Sequence, residues 1–253
     1  MYKQKYLKYK SKYINIKMQQ GGSNKKRIYI VRHGETEWNV EKKQQGCEAD
    51  IELNDTGKKQ ASITGKYLND YQQIKAKIDI IYCSPQKRAL KTAELIAKEI
   101  GYTDKIIIID DLKENCIGKL SGTTEQEKKT NPVFDKLFEL RLEYQNIVDP
   151  IEKMKTLIVN EEQISKIYGR ETLKEIFIRI KKVLDQITTD NNKKILVVTH
   201  AGLMNTMFMH IGNTFDYKDG DVSNGQNCKI GYIEYENGKF QIITNPNTLH
   251  FNL

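Results

Sequence analysis

Arg32-His33-Gly34 sets a cation and an imidazole side by side, and a second imidazole with a small neighbour recurs at His200-Ala201-Gly202. Each group directly follows a run that reads as a buried strand, Arg27-Ile28-Tyr29-Ile30-Val31 in the first case and Lys194-Ile195-Leu196-Val197-Val198-Thr199 in the second. Open α/β sheets bind their ligands at the carboxyl ends of strands. One pocket assembled from both halves of the chain is therefore expected. The residue types suit phosphoryl transfer. A guanidinium matches two phosphate oxygens at once, stays charged, and neutralises charge that develops on the transferring group. Imidazole is unprotonated enough near neutrality to act as a nucleophile, and a backbone carbonyl can hold its other nitrogen and fix the tautomer. A leaving alcohol needs a proton, which a loop carboxyl can deliver. Arg88 and Glu114 supply the missing parts: Arg88 in the first turn of a helix expected after a strand at 78–83, Glu114 in a loop after a strand at 105–109.

Positioning these groups falls to alternating strands and helices. The runs at 78–83 and 105–109 are short, apolar and bounded by turn residues, which predicts central strands. One helix is expected from Asp55-Thr56 through Ala61, Ile63 and Leu68. Another is expected from Ser84-Pro85, with serine as cap and proline in the first turn, through Leu90, Ala93 and Ile96. Thr172 and Glu175 have the spacing of a capping box and open a helix through Ile176, Ile180 and Leu184. Residues 230–243 alternate around Asn237-Gly238, a hairpin signal. The pattern predicts an α/β fold, a three-layer α/β/α sandwich with a mostly parallel central sheet. Residues 123–168 are helical in composition without strand signals, and read as a helical cap insertion that roofs the pocket.

At 253 residues the chain holds one α/β domain (25–253) with its insertion. Nine of its 41 Lys/Arg fall within residues 1–27, where there is no acid, and the remaining 32 face 33 acidic residues. The formal charge of +8 thus describes a leader, not the body, and is no sign of a nucleic-acid groove there. In that leader, residues 1–24, Tyr2, Tyr6, Tyr9, Tyr13 and Ile16 share a helical stripe with lysines around it, before a Gln/Gly/Ser/Asn linker. It reads either as a solubilising extension or as an address that docks on a protein, an anionic membrane or nucleic acid. It resembles the Tyr/Lys-rich leaders of many otherwise unrelated giant DNA virus proteins, which implies packaging or a virus-associated location. Cys47, Cys83, Cys116 and Cys228 are scattered without metal-ligand spacing, and no apolar stretch spans a membrane or forms a signal-peptide core. Free thiols in a reducing, intracellular (cytoplasmic) setting are expected.

Six blocks occur in a telling order: Arg-His-Gly-Glu-Thr-Glu-Trp-Asn at 32–39; Leu53-Asn54-Asp55-Thr56-Gly57 with Gln60-Ala61; Ser84-Pro85 with Arg88-Ala89 and Thr92-Ala93; Glu114 with Gly118 and Gly122; Glu171-Thr172 with Arg179; and Val198 to Gly202. By these blocks the chain, from about Arg27 to Phe240, resembles the histidine phosphatase superfamily, also called phosphoglycerate mutase-like or RHG. The resemblance implies that His33 becomes phosphohistidine. It implies that Arg32, Arg88 and His200 clamp the phosphoryl group, and that Asn39 hydrogen-bonds it. Backbone at Gly46 and Ala201 then borders the same site, and Glu114 serves as general acid and then base. It implies no metal and no cofactor, with a small phosphorylated molecule as substrate.

Three other readings stand beside hydrolysis. His33, Glu35 and His200 could imitate a zinc site, although the flanking arginines would repel a cation. A mutase would return the phosphoryl group to a second hydroxyl. Phosphoglycerate mutases usually follow the acid-loop glutamate with arginine and tyrosine where this chain has Asn115 and Ile117, and carry serine where it has Thr36. Paired arginines are also expected in the mutase insertion, where Arg141 stands alone. These departures favour a phosphatase. A catalytically idle phosphate-binding or scaffold protein is the third reading, since fold alone does not decide function.

Overall fold

The computed structural model describes residues 25–70, 77–212 and 227–244. The leader lies outside this set, as does the side chain of Arg141. Strands β1 (Lys26–Arg32), β2 (Ile80–Cys83), β3 (Ile107–Ile108), β4 (Lys194–Thr199), β5 (Ile230–Glu236) and β6 (Lys239–Thr244) form one sheet in the order β3-β2-β4-β1-β5-β6. The first four run parallel, and β5 and β6 add an antiparallel hairpin beside β1. Asn237 and Gly238 turn that hairpin with φ of 53° and 79°, the left-handed pair that a two-residue turn requires.

Alternation along β1 explains the layers. Ile28 and Ile30 face one side, where they pack with Ile195, Val197, and the apolar stripe Ile176, Ile180, Val183 and Leu184. That stripe belongs to α7 (Leu173–Thr189), which packs there beside α8 (Ala201–Gly212). Tyr29 and Val31 face the other side with Leu196, Val198, Ala89, Ala93 and Ile96. The last three come from α3 (Lys87–Glu99), paired with α2 (Asp55–Asp70). Because both faces are covered, β1 and β4 read as continuous apolar runs. Each Ile or Leu buried here contributes about 1.5–3 kcal/mol. Thr172 opens α7 with the expected capping box to Glu175.

Between β3 and α7 lie α4 (Glu125–Thr130), α5 (Asp135–Asn146) and α6 (Pro150–Tyr168), after the four-residue α1 (Glu37–Val40) near the chain's start. Phe134, Leu137, Leu140, Ile164 and Tyr168 form a separate small core with Leu120. Phe134 and Tyr168 stack there at 5.8 Å.

Three expectations need correction. The run at 105–109 is an edge strand of two residues, not a central one. Among the described residues it pairs only with β2, and Ile108 is 46% exposed. Its apolar composition comes from Ile106, Ile107 and Ile109, which pack on opposite faces of the sheet. The helix expected from Ser84-Pro85 begins at Lys87, with Gln86 as an N-cap that makes no side-chain cap bond. Asp50 takes the Lys87 N–H instead, at 2.8 Å, and Ser84 is engaged elsewhere. Finally, not all thiols are free: Cys47 and Cys116 form a disulfide across a separation of 69 residues, while Cys83 and Cys228 are free and buried. Sequence distance concealed that the loops after β1 and β3 meet at the same end of the sheet.

Candidate active site

Register puts the two histidines together. Arg32 pairs with Thr199 across β1 and β4, so the next residues, His33 and His200, leave the sheet side by side. The His33 N–H donates to Thr199 O at 2.9 Å, and the two imidazole centroids stand 5.1 Å apart. Both rings are buried. His33 Nδ1 lies 2.7 Å from Gly34 O. A carbonyl only accepts, so Nδ1 carries the hydrogen and Nε2 keeps its lone pair. Burial, then Arg88 and Arg32, hold the His33 pKa well below the ordinary imidazole value, against a smaller opposing pull from Gly34. His200 is held low by burial, then by Arg88, His33, Arg32 and Arg179. Both imidazoles are therefore neutral at pH 7. A neutral ring with a bare Nε2 is a nucleophile.

Arg88 is fully buried and Arg32 nearly so. Burial lowers the Arg88 pKa to about 10, which leaves it charged at neutrality, and lowers that of Arg32 as well. The Glu114 carboxylate opposes both shifts, so the acid loop lies within electrostatic reach of both guanidiniums. Arg88 Nη1 donates to Ala49 O at 2.5 Å and Nη2 to Gly46 O at 3.3 Å. Among the described residues, Arg32 Nε, Arg88 Nε and His200 Nδ1 are buried without a hydrogen-bond partner. His200 Nε2 meets Ser84 Oγ at 2.7 Å, and Ser84 Oγ also accepts the Gln86 N–H at 3.3 Å. Ser84 Oγ can donate its proton to Nε2, and in that tautomer the unpartnered Nδ1 is a donor. Three orphaned donors around two neutral imidazoles call for an anion.

Glu114 is held by the start of α8. Its carboxylate accepts from the N–H groups of Asn115 (2.9 Å), Leu203 (3.0 Å) and Gly202 (3.1 Å). Gly202 allows this approach, because a Cβ there would sit 2.7 Å from Glu114 Oε1. Ala201 occupies the first helical position, where an N–H has no intrahelical acceptor. Asn39 closes a capping box with Thr36. Its Oδ1 accepts from Thr36 N at 3.1 Å and from Asn227 Nδ2 at 2.9 Å, leaving Nδ2 to donate.

Sequence reasoning missed the side chains that brace these groups. Gln86 donates to Gly46 O (3.2 Å) and Ala49 O (3.1 Å) and accepts from the Glu114 N–H (2.8 Å). Thr92 accepts from Gly34 N–H and donates to Arg88 O. Arg179 grips Glu171 at 2.6 Å and donates to the carbonyls of Asp111 and Lys113, each at 2.9 Å. Thr92, Glu171 and Arg179 stand in the sequence blocks above without a bracing role assigned to them, and nothing in the sequence marked Gln86. Among the described residues, Cys47, Glu48 and Cys116 have ligand-type atoms within 4.8 Å of one another, but the two sulfurs are bonded to each other.

Comparison with known proteins shows the family. The model of the histidine phosphatase superfamily (branch 1) matches residues 28–248, and the chain belongs to that family. It is 32% identical over 218 residues to the uncharacterized phosphatase PhoE of Bacillus subtilis, covering 85% of this chain and 91% of that one. It is also 32% identical over 183 residues to phosphoglycerate mutase-like protein 4 of Arabidopsis thaliana, covering 72% and 69%. In fold it is similar to the crystal structure of phosphoglycerate mutase from Bacillus anthracis, with a TM-score of 0.66, 23% identity, and coverage of 88% and 94%. Relatives of this family include phosphatases and mutases alike. Among the described residues, no helix is long and apolar enough to cross a membrane.

Proposed function

We propose that the protein hydrolyses phosphomonoesters without a metal, through a phosphohistidine on His33. The observation that carries this reading is the buried pair of neutral imidazoles 5.1 Å apart, with the His33 tautomer set by Gly34 O, beside unpartnered donors on Arg32, Arg88 and His200. His33 Nε2 attacks phosphorus in line with the leaving oxygen, to which Glu114, entering the step as the protonated carboxyl, gives its proton. The guanidiniums of Arg32 and Arg88 and the His200 Nδ1–H neutralise the charge on the non-bridging oxygens. Asn39 Nδ2 and the backbone N–H groups of Gly46 and Ala201 border the same oxygens. Glu114 then takes a proton from water, which attacks the phosphohistidine and frees phosphate.

Phosphoryl return to a second hydroxyl is the alternative, favoured by the likeness to a phosphoglycerate mutase-like protein. Two side chains weigh against it. Asn115 Oδ1 accepts from Arg179 at 3.1 Å, and Ile117 packs against Gly46, so neither position offers a cation or a phenol to a substrate carboxylate. We further propose that the helices of 123–168 select the substrate and that residues 1–24 act as an address separate from catalysis. His33→Ala should abolish both phosphate release from p-nitrophenyl phosphate and trapping of radiolabelled protein. Wild-type activity should persist in EDTA, whereas full loss on chelation would end the metal-free mechanism. An intact protein that releases no phosphate from any ester would favour the idle reading.

A further inference from the structure

The loop of residues 44–50 and the acid loop of 113–118 touch at their tips, and both border the reacting centre. Cys47 follows Gly46, whose carbonyl accepts from Arg88 and Gln86, and Cys116 stands two residues past Glu114. The disulfide between them, with Cα atoms 4.6 Å apart, covalently joins the backbone beside the phosphate clamp to the backbone of the proton donor. Both cysteines are half-buried, within reach of a small thiol. The remaining two are not: Cys83 and Cys228 are enclosed, and burial pushes the Cys228 thiol up to about 12.

We propose that Cys47–Cys116 is a thiol–disulfide exchange site, served by a dithiol and its disulfide, whose closed state holds Glu114 and the Gly46 loop in the catalytic arrangement. This rests on the hydrolytic reading above. In exchange, a partner thiolate attacks one sulfur, the S–S bond breaks, and the other cysteine leaves as a thiolate. The partner's second thiol then attacks the mixed disulfide. The pair has gained two electrons and two protons, and the partner has become a disulfide.

Opening the bond leaves the fold standing, because other ties persist. Cys47 N–H donates to Asn115 O at 3.2 Å, and Glu48 Oε1 accepts from Gly118 N–H at 2.6 Å. Glu171 N–H donates to Cys116 O at 2.8 Å. These are single hydrogen bonds at loop tips, and Glu48 is exposed, so the loops gain freedom that the strand ends do not. His33 and His200 keep their register on β1 and β4. Proton delivery by Glu114 therefore depends on the crosslink more than phosphohistidine formation does.

The full-length chain tests this. Peptide mapping after alkylation without reductant should find Cys47 joined to Cys116, and dithiothreitol should open the pair. Reduction should lower kcat for an alkyl phosphate by about tenfold or more, the scale that a small misplacement of a catalytic group produces. The fall should be smaller for p-nitrophenyl phosphate, whose phenolate needs little protonation. Oxidised glutathione should restore the rate. Cys47→Ser and Cys116→Ser should sit at the reduced rate and ignore dithiothreitol, while Cys83→Ala keeps the response. Circular dichroism should be unchanged throughout. Absence of the crosslinked peptide overturns the proposal, as do equal rates with the bond open and closed. A protein that hydrolyses neither ester in either state refutes the hydrolytic reading instead. Calorimetry with inorganic phosphate then decides, since an affinity unchanged by reduction overturns the exchange site.

Discussion

The two halves of the site are held by different means. Arg32, His33 and His200 sit at the ends of β1 and β4, where six paired positions from Arg27–Lys194 to Arg32–Thr199 set their juxtaposition. Slipping that register by one residue would turn every core side chain to the wrong face. The register is therefore defended by the whole hydrophobic core. Glu114 and Gly46 sit on loops, where no periodic pattern defends position. There the work passes to the Gln86 bridge, the Arg179 carbonyl contacts and the Cys47–Cys116 bond. One hydrogen bond contributes a net ~1 kcal/mol. A crosslink closing about 70 residues contributes ~4 kcal/mol in the chain-entropy picture. The two imidazoles are placed by folding, and the Glu114 carboxyl by fastening.

Variants can break this contrast. Glu114→Gln should reduce kcat for alkyl phosphates by about 10²–10⁴-fold, yet slow p-nitrophenyl phosphate far less. Equal losses on both esters would remove Glu114 from the proton-transfer step. Gln86→Leu keeps the volume but strands the Glu114 N–H and takes one donor from each of the Gly46 and Ala49 carbonyls, which Arg88 still holds. It should cost about 1–3 kcal/mol of stability in urea unfolding and lower kcat more for alkyl than for aryl esters. Labelled phosphohistidine should still form in that variant, and a variant unable to be phosphorylated would show that the loop bracing also places His33.

The pH dependence sharpens the strand-end side. His33 and His200 are buried neutral, with folded-state pKa values below the ordinary one. The unfolded chain therefore binds more protons once pH falls below about 6.5. Stability should be flat above that value and decline as pH falls beneath it, towards the depressed folded-state values. Thermal midpoints at pH 7.5 and 5.5 should differ accordingly, and His200→Asn should flatten the difference. Midpoints that rise on acidification would contradict neutral, buried imidazoles. The smallest effect is expected from removing residues 1–24, which should leave kcat and KM within about twofold of the full chain. A large fall in kcat would tie the leader to the catalytic body.

Much of the strand-end half was legible in the residues. β-branched runs ending in Arg32-His33 and in Thr199-His200 mark both the strands and the groups that they deliver. The capping box at Thr172 and the Asn237-Gly238 turn are local codes, readable because their physics spans only a few residues. The helix after β2 was misread at its start for the converse reason. Ser84 is a good cap by type, but its hydroxyl is drawn to His200, which is 116 residues away. Likewise, the run at 105–109 has the composition of a central strand and the place of an edge, since strand order is not written in any one strand.

By itself, then, the sequence determined the reagents: which side chains could attack, clamp and protonate, and which strands carry two of them. Tertiary structure alone decided their state and their fastening. Burial among arginines keeps both imidazoles neutral. Gly34 O selects which nitrogen of His33 keeps its lone pair, and the meeting of two loops turns distant cysteines into a bond. The physical reason is range. Pattern and capping act along the chain, whereas dielectric, tautomer and crosslink depend on neighbours that only the closed sheet brings near.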